Sequence, residues 1–299
     1  MGNINAWLIS LRLRTLPLAL STIFMGSILA AHQGLFNFQV LMGAALTTLF
    51  LQILSNLSND YGDAISGADN EHREGPQRMI QSGVISLKEM KTAMFVCASL
   101  ALISGIYLLY VSFEDFTIVQ LLFLLFGFVS IGAAIKYTVG KNPYGYRGWG
   151  DLSVFLFFGW LGVAGTWFLH TNGWQWQILL PASTIGFFSA GVLTINNIRD
   201  INSDQDVGKI TLVVKMGRKT AVGYHFFLIF MGWLSMVIFM LLDAKNLSFW
   251  PVFISLPLFI RNIWMVSSVR RIHKLDGELR NLSLTTLLFV ALSCFALFQ

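Results

Sequence analysis

Two stretches of the 299-residue chain place carboxylates and carboxamides at helical spacing. The first reads Ser55-Asn56-Leu57-Ser58-Asn59-Asp60-Tyr61-Gly62-Asp63, and the second Asn196-Asn197-Ile198-Arg199-Asp200-Ile201-Asn202-Ser203-Asp204. On a continuing helix Asn56, Asp60 and Asp63 share one face, and Asn196, Asp200 and Asp204 share another. Like charges at that spacing destabilise an isolated helix, so a bound cation is the natural compensation. Oxygen donors without His or Cys select a hard cation, which makes Asp60, Asp63, Asp200 and Asp204 candidate magnesium ligands and catalytic residues. Either run alone reads equally well as solvated loop charge. Two runs, each beginning with a pair of asparagines, favour a site.

Cations follow both runs: Arg73 and Arg78 after the first, Lys209 beside Gly208 after the second. Carboxylate-held magnesium next to Arg and Lys is how proteins hold a diphosphate, the cations taking the charge that the metal leaves. Asn56, Asn59, Asn196 and Asn197 would complete the polar lining. A third segment, Lys136 to Asp151, alternates glycine, aromatics and cations. Lys141 and Arg147 are its candidates for an anionic substrate, whereas Trp149 and Tyr144 read as interfacial belt residues and Tyr137 can face either way.

The elements that carry these residues are membrane spans. Hydrophobic residues make up 55% of the chain and charged ones only 12%, against about 25% in soluble domains. Nine apolar segments are long enough to cross a bilayer: residues 15–31, 36–57, 92–113, 116–135, 152–170, 177–198, 220–242, 247–269 and 282–299. With Lys245 and Arg261 as exceptions, every Lys and Arg falls before the first span or in the loops after spans two, four, six and eight. That alternation predicts a cytosolic N-terminus, an outer C-terminus and both carboxylate runs on the cytosolic face. It also accounts for the net charge of +5 without nucleic acid as a partner. Cys97 and Cys294 lie inside spans as packing residues. The expected fold is an all-α membrane protein, one domain over residues 1–299, with a cap of cytosolic loops.

A diphosphate site opening into an apolar helix bundle suits a substrate with a charged head and a long hydrocarbon tail, a polyprenyl diphosphate. Magnesium would promote ionisation at its allylic carbon, and a buried cavity would keep water from the resulting cation.

Here the sequence resembles the UbiA superfamily of intramembrane aromatic prenyltransferases, which carry an Asn/Asp-rich motif after the second helix and a DxxxD motif after the sixth. The resemblance covers nearly the whole chain. Its pattern is most similar to the branch whose acceptor is 1,4-dihydroxy-2-naphthoate: Arg14-Thr15-Leu16-Pro17, Asn59-Asp60-Tyr61-Gly62-Asp63, Gly75-Pro76, Gln81-Ser82-Gly83, Tyr137-Thr138, Gly145-Tyr146-Arg147-Gly148 and Asn196-Asn197-Ile198-Arg199-Asp200. The resemblance implies nine helices around a central cavity, in a bacterial inner membrane with the site towards the cytoplasm. It further implies magnesium bridging the Asp clusters and the diphosphate, with Tyr137 and Tyr146 among the substrate-binding residues. Prenylation would occur at the ring carbon bearing the carboxylate, with loss of carbon dioxide, giving demethylmenaquinol for menaquinone. Arg147 or Lys141 is then expected near the acceptor carboxylate. One position departs from the pattern: many members carry a further Asp eight residues after the motif Asn, where this chain has Gly67 and then Asp69.

Two alternatives remain at this point. Another aromatic or lipid acceptor would serve the same chemistry. A cation-coupled transporter is a different class, and its sites should lie near the bilayer midplane. The predicted spans hold no acidic residue, and Arg261, near Pro251 and Pro257, is the one feature that favours transport.

Overall fold

The computed structural model describes residues 4–67, 78–268 and 275–298. Among these, every regular element is helical. Nine helices are long and apolar enough to cross a membrane: α1 (Ile4–His32), α2 (Phe38–Ser66), α3 (Leu87–Ser112), α4 (Ile118–Lys136), α5 (Gly150–Thr171), α6 (Trp176–Arg199), α7 (Leu212–Leu242), α8 (Ala244–Ser268) and α9 (Leu275–Leu297). Side-chain caps start several of them. Asn37 accepts from the Gln39 and Val40 amides, Ser86 and Glu89 cap each other reciprocally, and Thr117 and Thr211 each accept from the amide three residues on.

Several spans begin or end beyond the predicted limits. The second runs on to Ser66, the third starts at Leu87 and the ninth at Leu275. Acidic residues therefore do lie on spans, contrary to the expectation: Asp60 and Asp63 on α2, Glu89 on α3, Asp151 on α5, Asp276 and Glu278 on α9. Hydropathy ends a segment where charge appears, but a helix continues wherever that charge finds partners inside the bundle. Gly67 then stops α2, in a left-handed conformation (φ 73°) that favours glycine. This is where the family pattern would place its further Asp; Asp69 itself lies outside the described residues, as does Arg73.

Helices α6 to α9 share an aromatic core. Phe188 on α6, Trp233 on α7, Phe259 on α8 and Phe289 on α9 form one aromatic cluster, with Trp233 and Phe289 edge-to-face at 5.4 Å. Gly159 and Gly186 let α5 and α6 approach so closely that a Cβ on Gly159 would lie 2.7 Å from the Ala182 carbonyl. Helix α5 widens to π geometry over Phe155–Gly165. By contrast α4 buries only Ser130: one side is exposed, as on a helix against lipid, while the other, with Phe123, Gly127 and Ile131, lines a cavity. That cavity, of about 370 Å³, lies between this looser side and α1, α5 and α6.

Candidate active site

Helix α2 presents Asn56 and Asp63 to the cavity, and α6 presents Asn196, Asn197 and Asp200. Both helices reach it with their C-terminal ends, so the two carboxylate clusters meet as the spacing predicts. At Asp200 the helix bends out of regular geometry (φ −94°, ψ 10°) before a short helix, Ile201–Asp206. The bend does not break the register, because the Asp200 amide still donates to Asn196 and the Asp204 amide to Asp200. Asp200 and Asp204 thus stay on one side and both line the cavity.

Each cluster is neutralised by the chain's own cations. Arg78 pairs with Asp60 and, through Nη2, donates to Asp63 at 2.6 Å. Arg12 donates to Asp60 at 2.6 Å. Arg199 holds Asp200 with Nε at 2.8 Å and Nη2 at 2.7 Å, and Lys209 meets Asp204 at 3.0 Å. Asp60 is buried outside the cavity's lining. Arg12, Asp63, Arg78, Asp200, Asp204 and Lys209 all contribute to that lining.

Arg12 reaches inwards because α1 is interrupted there: its backbone is left-handed (φ 49°), which costs a non-glycine residue roughly 1–2 kcal/mol. Asn56 ties α2 to this break, donating to the Leu11 carbonyl at 2.9 Å and to Thr15 Oγ1 at 3.0 Å. Asn59 accepts from Thr138 at 3.3 Å, and Thr138 also donates to the Ser58 carbonyl at 2.8 Å. The loop before α5 therefore closes directly over α2. Gly62 makes that contact possible, since a Cβ there would sit 2.6 Å from the Thr138 carbonyl oxygen.

From the same loop Tyr146 donates its hydroxyl to Asp63 at 2.6 Å, and the Lys209 ammonium lies 5.4 Å from the Tyr146 ring centroid. Burial, then the Asp63 charge, pushes the Tyr146 hydroxyl's pKa up, so it remains a donor. Tyr137 and Tyr144 line the cavity, their rings edge-to-face at 5.3 Å. Tyr144 is thus a lining residue rather than the belt residue expected. Lys141 and Arg147 are exposed and contribute nothing to the lining. The Pro-Tyr-Gly-Tyr turn directs its tyrosines inwards, and the flanking cations remain outside.

Electrostatically the chamber is acidic but balanced. Burial raises the Asp204 pKa to about 6 against the pull of Lys209. Burial lowers that of Lys209, but Asp63, Asp204 and Asp200 together more than offset this, and it stays charged. A divalent cation suits this donor set: the oxygens are hard, and Asp204 Oδ2 is buried without a hydrogen-bond partner. Among the described residues no three His, Cys, Asp or Glu side chains converge closely enough to hold a metal by themselves.

Sequence reasoning missed Arg12, Arg14, Arg199 and Asp276. Arg12 reads as an orientation charge, and Arg14 as one too, although it also opens the Arg14-Thr15-Leu16-Pro17 pattern. Arg199 stands inside the second motif, which was the available signal; Asp276 has no motif, and only the fold brings it to Arg199 at 2.6 Å. Arg261, the feature that favours transport, pairs with Glu278 at 3.3 Å and does not line this cavity.

The family profile described as the UbiA prenyltransferase family matches residues 19–285. A 1,4-dihydroxy-2-naphthoate octaprenyltransferase of Escherichia coli (strain K12) is 43% identical over 291 residues, covering 96% of this chain and 94% of that protein. One of the same name from Haemophilus influenzae is 40% identical over 288 residues, covering 95% and 93%. Among solved structures, the apo form of a UbiA homolog from Aeropyrum pernix K1 superposes with a TM-score of 0.69 at 16% identity, over 93% of this chain and 96% of that one. A UbiA homolog from Archaeoglobus fulgidus bound to DMAPP and Mg2+ superposes with a TM-score of 0.61 at 15% identity, over 98% and 99%. These two share the fold. With its profile, its near full-length relatives and its helical architecture in agreement, the chain belongs to the UbiA prenyltransferase family.

Proposed function

We propose that this protein is a 1,4-dihydroxy-2-naphthoate polyprenyltransferase, acting as one domain in a bacterial inner membrane with its polar chamber towards the cytoplasm. One observation carries the reading. A single cavity is lined by Asp63, Asp200, Asp204 and Lys209 and equally by Ala44, Leu108, Phe123 and Leu169. It matches an ionic diphosphate head and a long apolar tail. The names of the curated relatives supply the acceptor.

Arg78 and Lys209 are the cations that would take phosphate charge. Asp63, Asp200 and Asp204, which line the cavity, are the residues that would hold magnesium, shared with the diphosphate rather than by three of these side chains alone, and Asp60 would act from behind the lining through Arg78. When bound, magnesium neutralises the departing diphosphate. Arg12 lines the chamber beside Thr15 and Asn56, and we assign it to the acceptor's carboxylate in place of Lys141 and Arg147. The apolar limb would keep water from the allylic carbon while it carries positive charge.

The balance of the reaction asks little of the side chains. The allylic C–O bond breaks, and its electron pair leaves on the diphosphate. The ring carbon bearing the carboxylate forms the new C–C bond. Loss of carbon dioxide returns an electron pair to the ring, so no residue need remove a ring proton. Turnover by purified protein in nanodiscs with farnesyl diphosphate and magnesium, offering 1,4-dihydroxy-2-naphthoate or 4-hydroxybenzoate, tests the reading. Prenylation of the naphthoate alone supports it; prenylation of the benzoate alone overturns the acceptor.

A further inference from the structure

Asp276 stands in the first turn of α9, and its two oxygens hold two different arginines. Oδ2 accepts from Arg14 at 2.5 Å and Oδ1 from Arg199 at 2.6 Å. Arg199 also chelates Asp200 and donates to Asn196 Oδ1 at 2.9 Å. One guanidinium, its side chain 2% exposed, therefore spans two carboxylates: Asp200 in the cavity's lining and Asp276 outside it.

The turn that carries Asp276 is braced from its other side. Glu278 accepts from Arg261 at 3.3 Å and from Asn262 at 3.1 Å, both on α8. Asn262 Oδ1 in turn lies 3.0 Å from His225 Nε2 on α7. Asp276 is thus presented from a fixed platform.

A buried guanidinium stripped of its carboxylate is left as an uncompensated charge. Asp200 can turn from Arg199 to a cation only if Arg199 keeps another partner. We propose that Asp276 is a positioning residue for the second carboxylate cluster: it retains Arg199 when Asp200 turns towards a divalent cation and diphosphate, and so sets how readily Asp200 changes partners. The inference rests on the cation–diphosphate reading given above. Asp276 acts through Arg199 and lies outside the cavity's lining.

Replacing Asp276 by Asn has effects of opposite sign on the two ligands. Arg199 is left to Asp200, and the site becomes more positive, so a cation binds more weakly. Two arginines lose a counter-charge, so a diphosphate anion binds as well as before or better. A merely structural lesion would weaken both.

The test uses the full chain in lipid nanodiscs. Binding of Mn2+ is read by electron paramagnetic resonance in the presence of geranyl thiolodiphosphate, an analogue that ionises slowly. Affinity for the analogue alone is read by calorimetry in chelator. Asp276→Asn is expected to weaken Mn2+ binding about tenfold while leaving the analogue's metal-free affinity unchanged or higher, and Asp276→Glu to bring Mn2+ back to within about threefold of wild type. Equal Mn2+ affinity in wild type and Asp276→Asn overturns the proposal, as does a parallel fall in both affinities. Wild-type protein that binds no Mn2+ even with the analogue overturns the cation–diphosphate reading itself, which is a separate failure.

Discussion

Arg78 bridges the two carboxylates of the first cluster, pairing with Asp60 through Nη1 and donating to Asp63 through Nη2 at 2.6 Å. Its side chain is 6% exposed, so the bridge is a buried one. Arg78→Ala leaves two buried aspartates short of a counter-charge, and removing one partner of such a pair costs about 3–5 kcal/mol. Thermal unfolding in nanodiscs is expected at a clearly lower temperature. Magnesium with a diphosphate analogue should recover more of that loss in the variant than it adds to wild type, because it supplies the missing charge. An unchanged unfolding temperature would contradict the bridge.

The placement of the cations separates Arg12 from Lys141 and Arg147. Arg12→Gly suits the left-handed backbone at that position; it removes the side chain together with its ion pair to Asp60, which keeps Arg78 as a partner. Steady-state kinetics are expected to show kcat/KM for the acceptor lowered at least about a hundredfold, with the protein still folded. Lys141→Ala and Arg147→Ala, both at exposed positions, should keep it within about twofold. The reverse ranking would restore the loop cations as acceptor ligands.

Gly62 tests the closure of the loop over α2. Gly62→Ala would place a methyl group 2.6 Å from the Thr138 carbonyl oxygen, against backbone that cannot rotate away. Overpacking of this kind costs about 1–3 kcal/mol and displaces Thr138 from Ser58 and Asn59. Gly132→Ala, with nothing within 4 Å of the new carbon, is the control. Comparable melting of the two variants would show that the contact is not tight.

Gly127 lines the apolar limb, and no atom lies within 4 Å of a Cβ built there. A phenylalanine at this position meets open space but fills part of the tail's path. Gly127→Phe is expected to reduce kcat/KM for geranylgeranyl diphosphate about tenfold relative to that for geranyl diphosphate. An equal effect on both donors would place the tail elsewhere.

The clusters were legible because helical spacing converts directly into a shared face. Asn56 with Asp60 and Asp63, and Asn196 with Asp200 and Asp204, need no knowledge of the fold to be grouped, although Asp60 lies outside the cavity's lining. The span limits were less legible, since Asp276 and Glu278 look like a loop to hydropathy but belong to α9, where Arg199 and Asn262 receive them. Cations were the hardest residues to rank. A loop arginine that orients the chain and one that enters the chamber have the same appearance in sequence. The left-handed turn at Arg12 decides between them, and it belongs to the fold rather than to any sequence signal.

The central claim, a decarboxylating prenyl transfer dependent on both carboxylate clusters, is tested most directly with carboxyl-labelled 1,4-dihydroxy-2-naphthoate. Purified protein in nanodiscs is given the labelled acceptor, a polyprenyl diphosphate and magnesium, and labelled carbon dioxide and prenylated product are measured together by mass spectrometry. The account predicts one carbon dioxide per prenylated ring, with both lost in Asp60→Ala and in Asp200→Ala. Prenylated product that retains its label, or full turnover in either variant, would contradict it.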